Sequence, residues 1–210
     1  MKSAIILLST LAFSQLLDAQ IVINNSIPPA QLVSSFFVGN GVNTSNIQFT
    51  GQNEQIAYFN GVTSNIGLNN GVVISTGNVN SIADNNVGGG DFGGPGDDDL
   101  LITAQSVTSN PDAGDITETN DAAVLEFDFV PSGNEVEFIF VFASNEYLTY
   151  VNTEFNDAFG FYISGPGFAG LHSSPANFPD GSQNLALVPG TTEPITISTN
   201  DRGADRSSYV

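Results

Sequence analysis

Three groups of oxygen- or nitrogen-bearing side chains could do chemistry in this chain. The first lies in NEYLTYVNTEFNDAFGFYISGPG, residues 145–167, where Glu146 closes one aromatic run and Asn156 with Asp157 opens the next. The second is Asp97, Asp98 and Asp99 in GGPGDDDLL, residues 93–101. The third is His172, followed by Ser173 and Ser174. Calcium takes six to eight oxygen ligands, and Glu146, Asn156 and Asp157, with Asn152, Glu154 and loop carbonyls in reach, form the first calcium candidate. The alternative is that Asn156 and Asp157 bond loop amides and hold the turn. Asp97, Asp98 and Asp99 are the weaker second calcium candidate. GGPGDDDLL also fits the nonapeptide of calcium-loaded β-rolls, but coils stack only in tandem copies and a single copy is present. A Ser-His-Asp site needs a base held by a third group and a nucleophile on a fixed turn, and nothing around His172 resembles such a turn or a nucleophile elbow, so no catalytic residue is expected there. Among so many carboxylates some pair for glycoside hydrolysis can always be found, and the sequence singles none out.

Composition narrows the partners. The chain has 22 Asp and Glu against 3 Lys and Arg, a net charge of −19 in 210 residues. A chain so poor in cations cannot neutralise phosphates, which argues against nucleic acid and anionic membrane as partners. Cysteine is absent, so the core, with or without bound ions, must supply the stability. One histidine without cysteine makes no ordinary structural zinc site. No organic cofactor is implied, and calcium is the one ion that the ligand chemistry favours.

Residues 1–19 read as a secretory signal peptide: Lys2, an apolar run from Ala4 to Leu17, then Ala19 before the cleavage point. The apolar run is shorter than the roughly 20 residues a membrane helix needs. Its removal takes away one base, Lys2, and one acid, Asp18, so the net charge is unchanged. Residues 20–210 then suit a single domain.

The elements that must position these groups read as β. Past a short N-terminal helix, opened by Ser26 or Pro29 and closed by Gly39, no helical period is sustained. NIQFTG, QIAYFNG, GVVISTGN, DAFGFYIS, NLALVPG and PITIST are short β-prone runs between Gly, Asn, Asp and Pro. Residues 84–120 are rich in Gly and Asp and are expected to be mostly loop. In AAVLEFDFVPSGNEVEFIFVFA, residues 122–143, two alternating runs flank PSGN. A hairpin through that turn pairs Phe129 with Val136, Phe127 with Phe138 and Leu125 with Phe140, placing the large side chains on one face. It also sets Asp128 opposite Glu137, a repulsion that a water-facing surface tolerates or a cation relieves. The expected fold class is all-β, a two-layer antiparallel sandwich of jelly-roll type with one short N-terminal helix.

The run DAAVLEFDFVPSGNEVEFIFVFASNEYLTYVNTEFNDAFGFYISGPG, preceded by GLNNGVVISTGN and followed by NLALVPGT, resembles the choice-of-anchor L domain of secreted bacterial proteins. The resemblance runs from about Leu32 to about Thr199 and is most specific over residues 121–167. It implies an exported, non-enzymatic module displayed at the cell surface, with an anchor beyond the C-terminal region, so the domain reads as incomplete at its C-terminus. Where the family tends to carry two adjacent acids before the tyrosine, this chain has Asn145 and Glu146, which lowers the local charge. The expected partner is an extracellular ligand, a glycan or a surface protein, with adhesion or ligand recognition as the role. A carbohydrate-binding, lectin-like domain is the alternative, and a secreted acidic hydrolase the competitor from a different class.

Overall fold

The computed structural model describes residues 20–83, 91–144, 146 and 149–199. Residues 1–19, expected to be a signal peptide, Asn145 and both arginines, Arg202 and Arg206, lie outside the described residues. Nine strands are described: β1 (Val22–Asn24), β2 (Val42–Thr50), β3 (Ile56–Asn60), β4 (Asn70–Ile74), β5 (Val124–Pro131), β6 (Ala158–Phe159), β7 (Tyr162–Ile163), β8 (Gln183–Asn184) and β9 (Ile195–Thr196). They form four antiparallel sheets, ordered β1-β3-β4, β2-β5, β6-β9 and β7-β8. The chain is therefore all-β, in narrow sheets rather than a few wide ones.

The N-terminal helix starts at Pro29, where a missing N–H costs nothing. This α1 (Pro29–Leu32) runs directly into a π-helical stretch, Val33–Phe37. Leu32 and Val33 are fully buried. Phe36 packs on Tyr58 of β3 at 4.5 Å, and the Phe37 ring meets Phe127 of β5 edge-on at 5.6 Å. The helical segment thus joins the three-stranded sheet to the β2-β5 ribbon through two consecutive aromatic residues.

β5 shows the expected alternation: Leu125, Phe127 and Phe129 are half-buried, whereas Glu126, Asp128 and Val130 are exposed. Its ladder partner is β2, with Leu125 opposite Phe49 and Phe129 opposite Thr44. The expected hairpin ladder with residues 135–142 does not form, because alternation decides which face a side chain takes but not which strand lies alongside. Asp128 consequently faces Ser45, not Glu137. A bulge between Ser45 and Gln48 places Asn46 in the left-handed region at φ 52, and its Nδ2 donates to Asp128 Oδ2 at 2.5 Å. The inward direction of the rings nevertheless agrees with the reading, since Phe37 packs on Phe138 at 6.2 Å as well as on Phe127.

The Gly/Asp-rich passage holds more structure than its composition announced. Within its described part lie α3 (Asp98–Gln105) and a 3-10 turn, Ala113–Asp115; α2 (Asn80–Ala83) precedes it. DDDLLITAQ has an aspartate to cap the first turn and a core-facing side that includes the buried Thr103 and Ala104. The expected single strand Ala158–Ser164 is split into β6, which pairs with β9, and β7, which pairs with β8, and the Tyr162 ring lies against Gly160 where any Cβ would collide with it.

Candidate functional site

The acidic rim, which carries Glu146 and Asp157, is positioned by the two runs on either side of it, 136–144 and 155–161. Phe138 packs on Phe161 at 4.1 Å and Phe140 on Phe159 at 5.2 Å. Two steps forward on one run match two steps back on the other, so the runs lie side by side in opposite directions. Continuing that offset brings Ser144 level with Phe155, just ahead of β6, with the intervening loop at one end. Ser144 Oγ donates to Asp157 Oδ2 at 3.3 Å and accepts from the Glu146 backbone N–H at 3.2 Å. One hydroxyl thereby holds both acidic residues at the same end of the molecule, as the sequence led us to expect.

The two carboxyls feel each other. Partial burial, and then the charge of Asp157, raise the Glu146 pKa above its ordinary value. Asp157 is raised by the protein crowded around its carboxylate, against a smaller lowering from the Ser144 bond. The Asp157 residue still reaches solvent, so water screens part of that penalty.

Asn156 takes a different direction. It is 8 % exposed; its Nδ2 donates to the Ala104 carbonyl of α3 at 3.2 Å, and its Oδ1 accepts from the Ser198 N–H at 3.2 Å. It fastens the loop to the C-terminal part of α3 and to the segment after β9. More ties hold the loop. Asn110 Nδ2 donates to the Thr153 carbonyl at 3.0 Å, and the Asn152 N–H, at φ 59, donates to Ser198 Oγ at 3.1 Å. At its outer side Tyr150 and Phe155 pack edge to face at 5.4 Å and remain 38 % and 56 % exposed. An anchored loop therefore presents two aromatic rings next to a carboxylate pair.

The structure brings Glu146 and Asp157 together and turns Asn156 into the interior. Two carboxylates and the Ser144 hydroxyl are the side-chain oxygens assembled there, against the six to eight that calcium takes. Among the described residues no group of three or more Asp, Glu or His side chains gathers tightly enough to hold a metal ion. Asp97, Asp98 and Asp99 occupy the start of α3. Asp97 is the N-cap, its Oδ1 accepting from the Leu100 N–H at 2.9 Å. Asp98 and Asp99 lie in the first turn, where negative charge suits the helix dipole. Asp99 accepts from the Ser173 N–H at 2.8 Å and from Ser173 Oγ at 2.5 Å. His172 Nδ1 stands 3.8 Å from Asp99 Oδ1 and its ring packs on Tyr162 at 4.5 Å. Ser173 thus hydrogen-bonds to the carboxylate directly, an arrangement different from a serine activated by histidine.

Two residues that organise this region escaped the sequence reading. Asp121, at φ 52, accepts from the Gly94 N–H at 2.6 Å and the Phe92 N–H at 3.1 Å. Together with the Pro95–Asn120 bridge it closes the Gly/Asp-rich passage on itself. Gln55, 2 % exposed, donates through Nε2 to the Thr76 and Asp121 carbonyls at 3.0 and 2.8 Å and accepts from the Gln52 N–H at 2.7 Å. The Asn-Asp pair ahead of β5 was a turn signal for the first. Locally Gln55 only closes the capping box with Gln52; its other partners, Thr76 and Asp121, lie 21 and 66 residues away.

The family model described as the choice-of-anchor L domain matches residues 21–208. No curated protein and no solved structure gives a match.

Proposed function

The chain belongs to the choice-of-anchor L domain family, and from that premise we propose that it is an exported, non-enzymatic module that recognises an extracellular ligand at the bacterial cell surface through the rim of residues 146–157. Membership makes it a surface-associated module. Among the described residues no helix is long and apolar enough to cross a membrane. The observation that carries the proposal is the fastening of the rim loop to α3, Asn110 and Ser198 while Tyr150 and Phe155 stay exposed next to Glu146 and Asp157. Rigid anchoring lowers the entropy lost on binding, and exposed aromatic rings supply contact area with few rotors.

A glycan is the ligand class that this pairing favours: ring faces pack on the sugar's C–H face while carboxylates accept from its hydroxyls. The test is a glycan array with the full chain and with Asp157→Ala and Tyr150→Ala. Retention lost in both variants supports the reading; retention unchanged by either refutes the rim as the site. The hydrolase alternative assigns the same two carboxyls as acid and base, so it predicts release of reducing sugar that Asp157→Asn abolishes. For calcium, the pair supplies two mutually repelling carboxylates and backbone carbonyls must complete the shell. A chelator that lowers the melting temperature, reversed by calcium, supports a structural ion there, and a flat response removes it.

A further inference from the structure

The run Val136–Ala143, VEFIFVFA, has the side-chain pattern of a strand but belongs to no sheet. From Glu137 onward its exposure alternates, with Phe138, Phe140 and Phe142 half-buried and Glu137, Ile139, Val141 and Ala143 exposed, whereas Val136 at its start is exposed as well. Ile139 is 53 % and Val141 39 % exposed. Among the described residues no backbone hydrogen bond joins 134–143 to any neighbour. An extended backbone with open N–H and C=O groups is a template for another strand. Along it runs a groove of about 290 Å³ lined by Val136, Glu137, Phe138, Phe140, Phe161 and Leu185. The groove supplies pockets for alternate side chains and the open backbone supplies the ladder, which are the two requirements of recognition by strand addition.

We propose that residues 136–143 are an acceptor strand for an extended segment of another polypeptide whose side chains alternate between apolar and basic. The charge of the surface selects this occupant. The acidic side chains on the run and its approach are Glu135 and Glu137, and β5, which shares the Phe37 contact, exposes Glu126 and Asp128. A second copy of this chain brings a net charge of −19 of its own and the same carboxylates, so like charges meet across the new ladder. A Lys- or Arg-bearing strand meets those carboxylates with opposite sign. Glu137, at the groove, also discourages indiscriminate edge pairing, a device that sheet edges use against aggregation. The surface is distinct from the 146–157 rim, and its test reads backbone amides rather than rim side chains.

The experiment uses the full chain and a dye-labelled peptide of alternating Lys and Val, eight residues long. Its control is the same peptide N-methylated at every position, which keeps the charge and removes the backbone donors along both edges. Fluorescence anisotropy measures binding, and hydrogen–deuterium exchange reports the amides of 134–143. The expected result is binding that N-methylation weakens at least tenfold, with new protection confined to the run. Glu137→Lys, an exposed change compatible with folding, is expected to weaken the Lys-Val peptide about tenfold and to admit a Glu-Val peptide. The proposal is overturned by equal affinity for the N-methylated peptide, which would be charge attraction alone, or by the absence of binding. It is overturned equally by protection of these amides in the free monomer, or by a dimer that protects them without peptide, which would make the chain itself or its copy the occupant.

Discussion

Asn156 offers a sharp test, because its two assignments predict opposite behaviour. In the structure its amide is a clamp between the Ala104 carbonyl and the Ser198 N–H. Ala104 is 0 % and Ser198 2 % exposed, so water cannot replace the amide without rearrangement. Asn156→Ala orphans one buried acceptor and one buried donor, each at a cost of about 1–3 kcal/mol. Allowing for partial relaxation, the loss is about 2–4 kcal/mol. In a domain of this size that lowers the melting temperature by roughly 4–16 °C. Asn156→Asp keeps the shape and can still accept from Ser198, but sets a carboxylate oxygen against the Ala104 carbonyl. It is expected to destabilise at least as much at neutral pH and to recover partly as the pH falls through the carboxylate range. Urea denaturation followed by circular dichroism, with calcium and with chelator, is the assay. A calcium-ligand role predicts instead that Asn156→Asp tightens calcium binding and that Asn156→Ala matters only when calcium is present. Loss below about 1 kcal/mol in Asn156→Ala, or a calcium-dependent loss, refutes the clamp.

Three further outcomes follow from the same geometry. The raised Asp157 pKa means that the folded state binds its proton more tightly than the unfolded state, so the contribution to stability falls as pH rises from the ordinary carboxylate value, 3.8, through the raised folded value. In calcium-free buffer Asp157→Asn should therefore match the wild type below that window and exceed it above, by about 1–2 °C or less for so exposed a group, as thermal melts across pH will show. Asp97→Ala removes the α3 cap and should cost about 1 kcal/mol in denaturant midpoint, whereas Asp98→Ala, in the first turn with no capping bond, should cost a few tenths. Gly96→Ala would drive a Cβ into the Thr119 carbonyl and hydroxyl, and backbone there cannot yield cheaply; a loss of roughly 1–3 kcal/mol is expected, and a neutral result would mean that the Pro95–Asn120 bridge is not held in solution.

Sequence alone was enough for the all-β class, for the inward row Leu125, Phe127 and Phe129, and for the convergence of Glu146 with Asp157, because each rests on a local rule. Side-chain alternation assigns faces, turn residues punctuate strands, and a loop between adjacent runs returns its two ends to one place. The start of the N-terminal helix at Pro29 was equally local. Three features were not legible. The partner of β5 is β2, some eighty residues upstream, because many alternating runs offer compatible edges and only the folded chain chooses among them. Asn156, one residue from Asp157, points inward because its amide partners come from α3 and from the segment after β9, which only the folded chain brings within reach. The same long-range choice left residues 136–143 with the pattern of a strand and no ladder, so the rings were written in the sequence while the open edge was decided by tertiary structure.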